Sequence, residues 1–121
     1  MFTRIHSFKF QNEFAKESVK KNLKSLGDTF LHEGLVMQIF VDIDKNNLYM
    51  INSWENATAS EKAFSKHKEN VFGQVKEMGV KVAIEGGDSE IRFSDLKILE
   101  QFTKVWNLFW VVTFVIILIN S

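Results

Sequence analysis

The sequence contains no cysteine, no proline and only six glycines. The missing cysteine excludes disulfides, a thiol nucleophile and thiolate-bound metal or iron–sulfur centres. The missing proline leaves the turns to Gly, Asn and Asp. No charge of either sign dominates. Fifteen basic and fifteen acidic side chains cancel, so no global field recruits nucleic acid and no such partner is expected. The three histidines, His6, His32 and His67, are far apart, so no metal site is expected. There is no GxGxxG fingerprint or P-loop, and no serine stands in a recognisable nucleophile context. The amino terminus opens on strand-like sequence without a basic-then-apolar leader. Any membrane targeting is expected from the other end.

What is present fits one domain. A chain of 121 residues buries about two-thirds of its unfolded surface, enough for one core. Apolar residues make up 45%, and twelve are phenylalanine, which argues against wholesale disorder. Every charged residue lies before Val105, and Val105 to Ser121 has none. The expected organisation is a charged body over residues 1–100 and an apolar tail over 101–121.

The body reads as alternating strands and helices. Phe2 to Phe10 is aromatic and rich in strand formers. Its even positions Phe2, Arg4, His6, Phe8 and Phe10 share one face, because strand side chains alternate. Asn12 caps a helix in which Phe14, Val19, Leu23, Leu26 and Phe30 recur at helical spacing. Lys16, Lys20, Lys21 and Lys24 form its solvated side. Gly34 breaks the pattern. Leu35 to Ile43 and Leu48 to Glu55 form a hairpin about the Asp44–Asn47 turn, where Asn tolerates positive φ. Thr58-Ala59-Ser60-Glu61 fits a capping box. It opens a helix striped by Ala63, Phe64, His67, Val71, Phe72, Val75 and Met78, with a break near Lys66 to Glu69. Gly86-Gly87-Asp88 reads as a turn, and Ser89 to Leu99 as the fourth strand. The order βαββαβ predicts an α+β, ferredoxin-like fold. Helices cover one sheet face only, so a homodimer through the other face is expected.

Leu48-Tyr49-Met50-Ile51-Asn52-Ser53-Trp54-Glu55-Asn56, followed by Ala63-Phe64 and His67, resembles the antibiotic biosynthesis monooxygenase family. That family ends its third strand in an apolar run, a Trp and an acidic residue, with a short helix and a His after it. His32-Glu33-Gly34 is similar to the end of its first helix. Ile84-Glu85-Gly86-Gly87 and Glu90-Ile91-Arg92 resemble its loop and last strand. The likeness covers roughly residues 2 to 99 and implies a dimeric α+β barrel, with a pocket between sheet and helices in each subunit. It also implies activities that include cofactor-free oxygenation of phenols and quinols. Gly87 stands where the family often has Pro, and Asn52 where it more often has Glu.

A cofactor-free oxygenase must hold an electron-rich aromatic, remove its phenolic proton and stabilise the oxyanion. Molecular oxygen is then the co-substrate and no cofactor is expected. His is the natural base near neutral pH. His67, His6, Asn52 and Trp54 are the candidate catalytic residues, and Arg4, Phe8, Phe64 and Phe72 are candidates for binding a small lipophilic aromatic ligand. Four have a structural alternative: Trp54 as a packing anchor, Asn52 satisfying a strand end or the dimer interface, His67 as a surface or helix-junction residue, Arg4 pairing with an acidic residue across a dimer. His32 sits at a helix end. Haem degradation is a lesser option, because Lys76 lies near the place where a His would be needed.

Val105 to Ile119 is almost entirely apolar. As a helix it spans roughly 22 Å, or roughly 27 Å from Phe102 if Lys104 reaches the interface. A bilayer core needs about 30 Å. Trp106 and Trp110 suit an interface, and Lys104 favours a cytoplasmic body. The reading is a single-pass C-terminal anchor through Phe102 to Ile119, with a buried core strand or helix as its alternative. The expected protein is a membrane-tethered monooxygenase of a quinol or lipophilic phenol. The rival is a non-enzymatic dimeric binding or scaffold module at a membrane.

Overall fold

The computed structural model describes residues 1–92, apart from the side chains of residues 71, 72 and 74. The chain divides into two units, Met1–Glu90 and Ile91–Ser121. The expected tail, 101–121, lies outside the described residues. Among the described residues, no helix is long and apolar enough to cross a membrane.

The elements are β1 (Phe2–Lys9), α1 (Glu13–Phe30), a 3-10 turn (Leu31–Glu33), β2 (Leu35–Asp42), β3 (Asn47–Trp54), α2 (Ala57–Glu77) and β4 (Lys81–Asp88). The four strands form one sheet in the order β2-β3-β1-β4, and each neighbouring pair is antiparallel. This is the α+β, ferredoxin-like arrangement that the element order implies.

α1 starts where Asn12 Oδ1 accepts from the Ala15 amide at 2.8 Å. Its buried face runs Ala15, Val19, Leu23, Gly27 and Phe30, one residue per turn. Phe14 was expected on that stripe but is 81% exposed, because it precedes Ala15 by about 100° around the helix. Lys16 was expected in solvent but is buried. Its Nζ donates to the Asp44 carbonyl at 2.9 Å and lies 3.2 Å from Asp42 Oδ1, so it ties α1 to the β2–β3 hairpin. Lys20 also meets Asp42, at 2.6 Å.

The hairpin turn is held by the Asp44 carboxylate, which accepts from the amides of Asn46 and Asn47 at 2.8 and 2.9 Å. Positive φ is not used there: among the described residues, only Gly34 and Gly79 adopt it. α2 begins two residues before the expected box. Asn56 Oδ1 accepts from the Ala59 amide at 2.8 Å, and Asn is a stronger cap than Thr. Thr58 and Glu61 therefore lie inside the first turns. The helix runs unbroken through Lys66 to Glu69.

The fourth strand is also corrected. It is Lys81–Asp88, not Ser89 to Leu99, and Gly86 and Gly87 lie within it. Residues 89–92 are not strand, and 93–99 lie outside the described residues. The glycine serves a close approach rather than a turn. Gly86 pairs with Arg4, and a Cβ there would stand 3.0 Å from the Phe2 ring.

Alternation assigns the two sheet faces. Phe8, Leu48 and Met50 turn to the helices and pack with Val19, Leu23 and Val75 in one apolar cluster. Phe30, Leu35, Trp54 and Ala63 form a second cluster. Each fully buried Leu or Phe contributes about 1.5–3 kcal/mol. Among the described residues no helix lies over the odd-numbered face, and Ile5, Ile39, Val41 and Tyr49 stand exposed there.

Gly34 carries the turn into β2 with φ 101°, a region costly for other residues. A Cβ there would also stand 3.0 Å from that of Ala59. Gly34→Ala is expected to lower stability by about 1–3 kcal/mol. Gly73→Ala, in α2 with nothing within 4 Å of the new Cβ, is expected to raise it by about 0.5–1 kcal/mol. Denaturant midpoints at constant m-value check both. Equal signs would contradict the assigned backbone.

Candidate functional site

The two apolar clusters do not merge. Between them lie polar groups carried on the covered sheet face and on α2. β1 supplies Arg4, His6 and Phe8, and β3 supplies Met50, Asn52 and Trp54. α2 supplies Ser60, Phe64, His67 and Lys68, while Leu26 and Phe30 of α1 close one wall. The cavity has a volume of ≈ 40 Å³. That is room for about three waters. An aromatic ligand therefore enters only as lining side chains move, and Lys68 is exposed on a flexible stem.

His67, His6, Asn52, Trp54, Arg4, Phe8 and Phe64 thus converge on one cavity. Phe72 lies on α2, but its side chain is outside the described residues. His32 is exposed and does not line the cavity.

Three polar contacts set the chemistry of the walls. First, His67 Nε2 lies 3.1 and 3.2 Å from the two Glu33 carboxylate oxygens, and Lys66 Nζ donates to Glu33 at 3.0 Å. Hydrogen bonds from His67 and then Lys66 hold the Glu33 pKa below its usual value. Glu33 is therefore a carboxylate at neutral pH and only accepts. His67 must donate from Nε2, which leaves Nδ1 of the neutral ring as the proton acceptor. The imidazole also packs edge-on against Phe30, with ring centroids 5.4 Å apart.

Second, Gln38 Nε2 donates to Asn52 Oδ1 at 3.0 Å. Gln38 reaches it past Gly27, where a Cβ would come within 3.0 Å of all three terminal atoms of the Gln38 amide. With its oxygen so engaged, Asn52 keeps its NH₂ as the donor for other partners. Third, Arg4 Nε donates to Ser60 Oγ at 2.6 Å.

Two further groups are polar and buried. Trp54 Nε1–H has no hydrogen-bond partner among the described residues, a state that costs about 1–3 kcal/mol. His6 is 8% exposed. Burial, and then the Arg4 guanidinium, push its pKa down to about 4. It is neutral at pH 7 but weakly basic, which makes it a poorer proton acceptor than the expectation assumed.

Residue types alone did not single out Glu33, Gln38 or Ser60 as site residues. Glu33 stood in the His32-Glu33-Gly34 segment, and only the fold brings it to His67.

The lowered His6 pKa has a fixed sign. Between pH 6.5 and about 4 the unfolded chain binds more protons at this residue than the folded one. The contribution is complete above pH 6.5 and is lost as pH falls through this window. The loss amounts to about 3 kcal/mol. Glu33, Asp42 and Asp44, whose pKa values are all lowered from 4.5 or 3.8, lose theirs at lower pH. The stability of wild type relative to His6→Phe, read from denaturant titrations, is expected to fall as pH drops from 6.5 to about 4. Parallel curves would show that His6 titrates normally.

No protein-family model matches the chain, and no curated protein matches it either. Solved structures do. A candidate antibiotic biosynthesis monooxygenase of Deinococcus radiodurans superposes with TM-score 0.66 at 12% identity, over 78% of this chain and 98% of that one. SnoaB of Streptomyces nogalater, a cofactor-independent oxygenase, gives 0.60 at 13% identity, over 78% and 97%. A dimeric ferredoxin-like protein from an uncultured marine organism gives 0.62 at 14% identity, over 78% and 100%. At such identities the likeness establishes a shared fold: the chain is similar in architecture to dimeric ferredoxin-like proteins and to monooxygenases built on them.

Proposed function

We propose that the protein is a cofactor-independent monooxygenase of a quinol or other lipophilic phenol. The observation that carries the proposal is the Glu33-fixed His67 imidazole in the wall of an otherwise largely apolar cavity, beside Asn52 and Trp54. The fold shared with SnoaB, a cofactor-independent oxygenase, supports the reaction class, although a fold hosts many activities.

In the proposed reaction, His67 Nδ1 takes the phenolic proton. The resulting anion gives one electron to O₂. Superoxide and the substrate radical recombine to form a C–O bond. The hydroperoxide then loses water, so one oxygen atom stays in the product and the other leaves as water. The Asn52 NH₂ and the Trp54 N–H are donors for the oxyanion. The polar lining counts against the scaffold alternative, for which a wholly apolar filling would be expected.

The proposal extends to assembly. Neighbours in fold are described as dimeric, and the exposed apolar row Ile5, Ile39, Val41 and Tyr49 on the open sheet face suits pairing with a second copy. The membrane tether through residues 102–119 rests on sequence alone. With the body on the cytoplasmic side, it would raise the enzyme's effective concentration near membrane-dissolved phenols.

Oxygen uptake by the purified protein with a quinol panel, without added flavin, metal or haem, tests the activity. His67→Ala is expected to lower the rate roughly a hundredfold, and Glu33→Gln less. Uptake no faster than the uncatalysed rate would overturn the proposal. For assembly, full-length protein is expected to resist high-salt extraction from membranes and to sediment as a dimer in detergent, with Ile39→Glu shifting it to monomer. Release by salt, or a dimer indifferent to Ile39→Glu, would remove the corresponding part.

A further inference from the structure

Among the described residues, Arg4 is the strongly cationic group on the covered face of the sheet; it is half-buried, and no described residue supplies a counterion there. Its Nε is taken by Ser60 Oγ, a hydroxyl only 1% exposed, and its Cζ stands 5.3 Å from the centroid of the Phe2 ring. These contacts hold the guanidinium plane and use one of its five donors. Among the described residues no carboxylate forms an ion pair with it, and neither terminal nitrogen donates a hydrogen bond. Among the described residues the cavity lining contains Arg4 and Lys68 and no Asp or Glu. Glu33, which touches the lining through His67, is already engaged by His67 and Lys66. Arg4 also turns to the helix side of β1, because it shares parity with His6 and Phe8. The open face, where a second copy would pair, presents Thr3, Ile5 and Ser7 instead.

A guanidinium held by its inner nitrogen, with its outer fork unpaired at the wall of an apolar hollow, is suited to a planar oxyanion. We infer that Arg4, positioned by Ser60, is the anchor for a carboxylate carried on the aromatic ligand, so that the natural substrate is a phenol that also bears a carboxylate. The inference rests on the reading of this cavity as a ligand site. It goes further by assigning the charge of the ligand and its orientation. The ring lies among Phe8, Phe30, Met50 and Trp54, and its carboxylate lies toward Ser60 and the start of α2. Arg4 is then a specificity residue, and His67 works on a different part of the same molecule. Lys68, exposed, adds attraction that salt screens.

The experiment is calorimetry of full-length protein with 2-naphthoate and with methyl 2-naphthoate, the same ring with and without the charge. The acid is expected to bind at least tenfold more tightly than the ester. Arg4→Met should abolish that preference and leave the ester within about twofold. Arg4→Lys should restore part of it, because it keeps the charge and loses the fork. Lys68→Met should reduce the preference less than Arg4→Met. Equal binding of acid and ester by wild type would overturn the anchor while leaving the cavity a ligand site. That comparison needs no variant, so it decides even if Arg4→Met does not fold. A preference that survives Arg4→Met would also overturn it. If neither probe binds, the reading of the cavity as an aromatic site fails, and the anchor fails with it.

Discussion

A carboxamide buried to 2% exposure in the middle of an apolar layer constrains everything around it. Asn52 sits on the covered face of the sheet, between Met50 in one cluster and Trp54 in the other. A buried amide without a partner costs several kcal/mol, so one must reach it. Gln38, its cross-strand neighbour in register, does so, and Gly27 leaves the space for the Gln38 amide. The bond fixes which end of Asn52 remains available. It also keeps the two clusters apart, because a polar group sits where a large apolar side chain would otherwise join them. The cavity is the result. The same logic extends to Arg4 with Ser60 and to His67 with Glu33: each of these three groups is oriented by one partner, with donor or acceptor capacity to spare.

Much of the fold was legible because its signals are local. Alternation placed Arg4, His6 and Phe8 on one face, and the Asn12 cap placed the start of α1. The failures have physical causes. Gly86 and Gly87 read as a turn, yet Gly86 is there because the Phe2 ring lies against the strand. Asn56 and Thr58 are both able to cap, and the stronger one does. Lys16 looks solvated by type, but its long stem can be buried once its ammonium finds the Asp44 carbonyl and Asp42.

The candidate site was legible only in part, for the same reason. His6, Asn52, Trp54 and His67 stood out by residue type and by resemblance. Their partners did not, because the contacts are long-range. Glu33 and His67 are 34 residues apart, Arg4 and Ser60 are 56 apart, and only the sheet order and the packing of α2 bring them together. The environment of His6 was likewise invisible: burial beside a guanidinium turns the obvious base into a weak one. The stronger candidate is the histidine whose tautomer a carboxylate sets.

The central claim is that Glu33 holds His67 so that Nδ1 is the proton acceptor for a phenol in the cavity. Histidine ¹⁵N NMR reads this directly, since the two ring nitrogens have separate signals in each tautomer. The account predicts the Nε2–H tautomer for the neutral His67 ring, a mixture of tautomers in Glu33→Gln, and a shift of the Nδ1 signal when 2-naphthol is added. An Nδ1–H tautomer, or an Nδ1 signal indifferent to the phenol at saturating concentration, would contradict it.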